Sequence, residues 1–166
     1  MKTFLILRHA KSSWKTIGQA DHDRPLNKRG ERDALRVGRW LQQQNLVPDQ
    51  IISSTAQRAK STALAVADAM GYEGDIELTR SFYLAHPEAY IERAAQLPNE
   101  VETVMVVGHN SGVEELVLML TQLYEVMQTG TVVHLTLPID DWAEFSAETP
   151  ATLQAIWRPR ELPDHI

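Results

Sequence analysis

Thr3-Phe4-Leu5-Ile6-Leu7-Arg8-His9-Ala10 is the stretch whose reading decides the fold. Phe4, Leu5, Ile6 and Leu7 form an unbroken apolar run, the pattern of a strand covered on both faces at the centre of a parallel sheet. The run stops at Arg8-His9, two polar groups that cannot stay in a dry core without partners. Open α/β sheets collect ligands at the carboxyl edges of their strands. A cation and an imidazole delivered side by side to that edge are suited to receive an anion. Taken alone, the pair reads better as a salt-bridged arginine beside a capped surface histidine, so the rest of the chain has to decide.

Outward from this strand, Lys11 to Arg24 shows neither helical nor alternating periodicity and reads as a loop over the strand's end, where substrate contacts collect. Asn27 is placed to cap a helix from about Lys28 to Gln44, with Ala34, Val37, Gly38 and Leu41 on one face. Arg29, Glu31, Arg32, Asp33 and Arg36 read as a solvated face with local ion pairs. Gln50 to Ser53 is a short strand, and Ser54 and Thr55 offer capping oxygens to a helix running to about Met70. Arg58 then sits in that helix's first turn, where a cation opposes the helix dipole and needs a reason.

Asp75 to Leu78 is a third strand. Ser81 to Pro87 is a loop with aromatic character, and Glu88 to Leu97 a modest helix. Val101 to Val107 is the second dry strand; it ends in Gly108-His109-Asn110 and leads into a helix with Val113, Leu116, Val117 and Leu120 on one face. Thr131 to Leu137 and Ala151 to Trp157 are further strands, with His134 read as a satisfied sheet histidine and residues 158–166 as a proline-punctuated tail. This alternation predicts one domain over residues 1–166, a three-layer αβα sandwich with a mixed, mostly parallel central sheet.

Composition narrows the function. The chain has 166 residues, 43% hydrophobic and 23% charged, and a formal net charge of -6. That balance excludes a general basic field for nucleic acid or anionic membrane, so any anion site is a local cationic pocket. The absence of cysteine removes disulfides, thiolate metal sites and a cysteine nucleophile, and suits a cytoplasmic location. The short N-terminal apolar run reads as neither a signal peptide nor a membrane span.

Three strand ends thus deliver Arg8, His9, Arg58 and His109 to one edge. A transferring phosphoryl group has charge spread over three equatorial oxygens, and its transfer is mainly a matter of positioning and neutralisation. Two guanidiniums supply planar forks matched to those oxygens. One neutral imidazole can attack phosphorus and form a covalent intermediate, while a second hydrogen-bonds the equatorial oxygens. The neighbouring arginines disfavour protonation of both rings.

With Arg8-His9, the segment Ser53-Ser54-x-x-x-Arg58-Ala59 and Gly108-His109-Asn110 in this order, the chain resembles the histidine phosphatase (phosphoglycerate mutase-like) superfamily. Arg8 to Trp14, Asp23-Arg24-Pro25-Leu26 and Trp157-Arg158-Pro159-Arg160 further resemble its SixA-type phosphohistidine phosphatases. The resemblance spans nearly the whole chain. It implies that His9 is the phosphorylated nucleophile, Arg8 and Arg58 the phosphate clamps and His109 the second histidine, with Ser12 and Arg24 near the substrate and no cofactor. Ala10 stands where many relatives have glycine, a small-for-small change.

Many relatives draw a carboxylic acid from an inserted segment between the second arginine and the late histidine. Here that interval is short. His86 and Glu88 are its polar candidates, and Glu88 reads as well as a first-turn helix carboxylate favoured by the dipole. A missing acid suits phosphohistidine, whose P–N bond is labile, and a missing cap suits a protein-borne substrate. The alternatives are a small-molecule phosphomonoesterase, with Glu88 or a first-loop aspartate as acid, and a non-catalytic phosphate-binding module. A mutase would need further elements to hold and reorient an intermediate. The implied partner is a phosphorylated protein or small phosphorylated molecule; the oligomeric state stays open, a monomer being sufficient.

The six histidines show no His-x-x-x-His spacing and no accompanying carboxylate cluster, which argues against a metal hydrolase. Activity is therefore expected to persist in EDTA; loss in chelator with recovery on adding a divalent ion would contradict this.

Overall fold

The computed structural model describes residues 1–166. In chain order it contains β1 (Lys2–Arg8), α1 (Lys28–Gln43), β2 (Gln50–Ser54), α2 (Gln57–Met70), β3 (Ile76–Thr79), α3 (Pro87–Ala94), β4 (Thr103–Gly108), α4 (Gly112–Thr121), β5 (Val132–Leu137) and β6 (Thr152–Trp157). The six strands form one sheet in the order β3-β2-β4-β1-β5-β6. The pairs β3/β2, β2/β4 and β4/β1 are parallel, and β5 runs antiparallel to both β1 and β6. This is the mixed, mostly parallel sheet expected from the alternation of strand and helix patterns. No helix is long and apolar enough to cross a membrane.

Successive residues of β1 serve opposite layers, because strand side chains alternate between faces. Phe4 and Ile6 join Tyr90 and Ile91 of α3 and Leu116 and Val117 of α4 in one core. Leu5 and Leu7 join Val37 and Leu41 of α1 and Ala63 and Val66 of α2 in the other. Both cores reach up to the sheet's carboxyl edge, so the polar residues that follow β1 and β4 emerge from closely packed backbone.

Local signals explain some of the helix boundaries. The Asn27 side chain accepts the Gly30 N–H at 2.8 Å and starts α1. Gly71, at φ 74°, closes α2 in the left-handed conformation that suits glycine. Ser54 and Thr55, expected as caps, do not begin α2. Its N-cap is Ala56, without a side-chain bond. Ser54 Oγ accepts the Ala56 N–H, and both hydroxyls meet imidazoles: Ser54 Oγ lies 2.8 Å from His109 Nε2, and Thr55 Oγ1 lies 2.9 Å from His22 Nε2.

Two charged residues assigned to the solvated face of α1 also depart from that reading. Asp33 is buried beside Arg29. Arg36 donates to the carbonyls of Pro159, Leu162 and Pro163, which makes the C-terminal segment a strut against α1. Helix periodicity could not show this, since the carbonyls come from the far end of the chain.

Gly30 fixes how closely α1 approaches the chain after His9, for a Cβ there would overlap the Lys11 carbonyl oxygen. Alanine normally favours a helix interior by about 1 kcal/mol over glycine. Here steric overlap reverses the sign. Gly30→Ala is expected to destabilise by about 1–3 kcal/mol, read as a lowered denaturant midpoint; an unchanged or raised midpoint would show that the approach is loose.

Candidate active site

The parallel ladder between β1 and β4 pairs Arg8 with Gly108. The following residues on each strand are His9 and His109, and the His9 N–H donates to the Gly108 carbonyl at 3.1 Å. Their ring centroids are consequently 5.2 Å apart, inclined at 53°. Both residues are almost wholly buried, 6% and 2% exposed. Gly108 must be small, because Tyr90 occupies the space a Cβ would need, and the Tyr90 hydroxyl lies 3.4 Å from the His109 N–H.

His9 Nδ1 lies 2.8 Å from the Ala10 carbonyl. A carbonyl only accepts, so Nδ1 carries the proton and Nε2 keeps its lone pair. The Ala10 peptide is itself held: its N–H donates to Thr62 Oγ1 at 3.0 Å, and the Thr62 hydroxyl donates to the Arg58 carbonyl at 2.6 Å. One buried hydroxyl thereby ties the end of β1 to the first turn of α2. Around His109, Ser54 Oγ accepts the Ala56 N–H at 3.2 Å and faces Nε2. His109 Nδ1 is buried without a protein partner.

Each guanidinium is fixed on one side. Arg8 Nη1 donates to the Met127 carbonyl at 3.0 Å, as does Asn110 Nδ2, while Glu114 accepts the Met127 N–H at 2.7 Å. Arg158 braces the same segment through the Val126 carbonyl at 2.8 Å. Arg58 donates to the Asp21 carbonyl at 2.8 Å and to the Asp21 carboxylate at 3.0 Å. That pair supplies the reason a cation is held at the start of α2. Arg8 Nε and Arg58 Nε are buried and unpartnered.

Asp21, one of the first-loop aspartates, is the organising residue the sequence reading did not single out. It lies in a short 3-10 turn, Asp21–Asp23, and accepts from Arg58, from Arg24 Nε at 3.1 Å and from the Tyr83 hydroxyl. Hydrogen bonding from Tyr83, reinforced by Arg58, holds its carboxyl down at about 2, so it is ionised and has no proton to give. Arg24 continues outward, donating to Ser12 Oγ at 2.8 Å and lying 3.4 Å from the centre of the Trp14 ring.

These residues line a cleft of about 290 Å³ that contains Arg8, His9, Ser12, Arg24, Arg58 and His109, with Asp21 among them. The structure places Glu88 elsewhere. It is exposed in a separate groove with His86, Glu115 and Met119. Tyr90, Ile91 and Ala94 bury the inner face of α3, and two residues correspond to about 200° of helix turn, which points Glu88 away from Tyr90. Burial, ahead of the nearby charges, depresses both imidazoles, His9 to about 3 and His109 to about 4. The arginines contribute in the expected direction but are not the largest cause.

Comparison with known proteins identifies a family for this chain. Residues 4–82 match the model of the histidine phosphatase superfamily (branch 1). An uncharacterized chloroplastic protein of Arabidopsis thaliana is 33% identical over 154 residues, covering 86% of this chain and 70% of the relative. Among solved structures, the SixA protein of Agrobacterium tumefaciens is 28% identical with a TM-score of 0.81, covering 95% of this chain and 98% of its own. The SixA protein of Nakamurella multipartitia is 25% identical with a TM-score of 0.84, covering 95% and 96%.

The depressed imidazoles have two consequences. In the unfolded chain both rings take up a proton near 6.5, and in the folded chain only near 3 to 4. Across that interval the unfolded state binds more protons, so unfolding free energy falls as pH drops from about 6.5 toward 4. Ring 15N NMR is expected to show His9 and His109 neutral from about pH 8 to about pH 5, with His9 as the Nδ1–H tautomer. Titration of either ring near its ordinary value would contradict the burial argument.

Proposed function

The chain belongs to the histidine phosphatase superfamily, and we propose that it is a metal-independent phosphatase working through a phosphorylated His9, with phosphohistidine on a protein as its substrate. The observation that carries this reading is the pair of neutral imidazoles 5.2 Å apart, one with its Nδ1 tied to a carbonyl and its Nε2 free. Catalysis of this kind requires an uncharged ring nitrogen aimed at phosphorus and fixed donors for the equatorial oxygens.

In the first step the His9 Nε2 lone pair forms a bond to phosphorus, and the bond from phosphorus to the leaving atom breaks with its electron pair. The leaving group acquires its proton from solvent. Arg8 and Arg58, each immobilised on one side by backbone or carboxylate, present their remaining N–H groups to the equatorial oxygens. With the Ser54 hydroxyl donating to Nε2, His109 Nδ1 would carry the ring proton and serve as a further donor. Ser12 and Arg24 extend the cradle toward the mouth. Water then attacks phosphorus, the P–Nε2 bond breaks, and orthophosphate leaves with His9 restored.

Substrate choice follows from the acid. Asp21 is ionised, and Glu88 faces another groove. An alcohol would have to depart without a protein donor, whereas the imidazole of phosphohistidine leaves across a labile bond. Small phosphomonoesters remain the second reading, since the cleft is open.

His9→Ala is expected to abolish turnover and any acid-labile phosphoenzyme, and wild-type activity in that variant would defeat the mechanism. Arg58→Ala should cost about 2–4 kcal/mol of transition-state stabilisation, measured as kcat/KM. The purified protein, assayed on a phosphohistidine protein beside a panel of small phosphoesters, should prefer the former.

A further inference from the structure

In-line transfer puts the leaving group on the side of phosphorus opposite the attacking nitrogen. His9 is 6% exposed and forms the floor of the cleft, so the leaving group must project toward the mouth. The side chains there differ in kind from the rest of the lining. Trp14 and Leu84 are its two apolar members, and they are 74% and 58% exposed. A tryptophan this open keeps a large apolar ring in water, and its indole is held by the Arg24 guanidinium 3.4 Å from the ring centre. Leu84 has φ 49°, in the left-handed region that residues with side chains seldom occupy. Such conformations concentrate at ligand clamps.

The two apolar groups share one anchor. Asp21 accepts from Arg24, on which Trp14 lies, and from the hydroxyl of Tyr83, the residue before Leu84. The carboxylate that holds Arg58 is therefore also bonded to a neighbour of each side chain at the mouth, Arg24 beneath Trp14 and Tyr83 before Leu84.

We propose that Trp14 and Leu84 form a slot that grips a flat heteroaromatic leaving group, the imidazole ring of phosphohistidine, and so make the site selective for the ring as well as for the phosphoryl group. This rests on the phosphoryl-transfer reading above. The ring would stack on the indole face that Arg24 leaves open, an interaction whose removal typically weakens binding about tenfold or more. The Leu84 side chain would close the other side.

The test compares substrates that share a P–N bond and differ in the ring. Phosphoimidazole has the flat leaving group and phosphoramidate lacks it. Trp14→Ala is expected to lower the ratio of their kcat/KM values about tenfold, and Trp14→Phe to restore most of it. Leu84→Gly removes the second side chain at a backbone conformation glycine accepts, and should lower the same ratio without loss of thermal stability. An unchanged ratio in Trp14→Ala and Leu84→Gly would overturn the proposal, including when both substrates slow equally. Phenyl phosphate run beside methyl phosphate separates an aryl ester from imidazole as the ring's source; a wild-type ring preference confined to that pair would also overturn it.

A binding measurement keeps the slot testable if the phosphatase reading itself fails. By calorimetry, wild-type protein should bind benzylphosphonate about tenfold more tightly than methylphosphonate, and Trp14→Ala should bind the two alike. Equal affinities in the wild type, or binding of neither, would refute the slot whatever the turnover shows.

Discussion

The register of β1 against β4 is the constraint on which the rest depends. Pairing Arg8 with Gly108 leaves His9 and His109 as the first residues beyond two adjacent parallel strands. Side chains alternate along a strand, so a slip of one position would turn an imidazole to the opposite face. The register is held by burial more than by the ladder's hydrogen bonds. Phe4 and Ile6 fill one core and Leu5 and Leu7 the other, with Val104, Val106, Met105 and Val107 matching them on β4. Any shift would carry apolar groups across the sheet in both strands. The geometry of the two rings is thus a product of the hydrophobic effect acting several residues away.

The second constraint is electrostatic. A carboxylate in a cleft lined by Arg8, Arg24 and Arg58 offsets part of their positive charge, yet Asp21 sits there and is ionised. Its value lies in geometry. Long guanidinium side chains lose rotamer freedom when they bind, and a fixed carboxylate takes up that loss during folding. Buried side-chain atoms without a protein partner include Arg8 Nε, Arg58 Nε, His109 Nδ1 and Asn110 Oδ1, all on residues of this cleft. A folded chain normally satisfies such atoms. Their concentration here marks the place where hydrogen-bonding capacity is left over.

What the amino-acid sequence could convey about this arrangement depended on range. Phe4 to Leu7 and Thr103 to Val107 announced dry strands because burial on both faces is written in consecutive residues. Asn27 announced a cap, and the donor it accepts lies three residues on. The same local logic missed that Ser54 and Thr55 meet imidazoles from distant segments, although Ser54 Oγ does accept the N–H of Ala56 at the start of α2. It also left Arg36 on a solvated face, although its acceptors lie more than a hundred residues away. Asp21 was hidden for a related reason: one aspartate in an aperiodic loop looks like any other until Arg58 and Tyr83 are seen converging on it. Glu88 was drawn in by chain order, while α3, with Tyr90 packed under Gly108, places it in a separate groove.

The bond between the His9 ring and the Ala10 carbonyl bears on more than protonation. Imidazole has two nucleophilic nitrogens, and free histidine can be phosphorylated on either, giving two regioisomers. With Nδ1 facing a carbonyl in a backbone position pinned by Thr62, the proposed mechanism has a single isomer of its covalent intermediate geometrically open to it. In that mechanism the main chain, with no reactive group of its own, would dictate the regiochemistry.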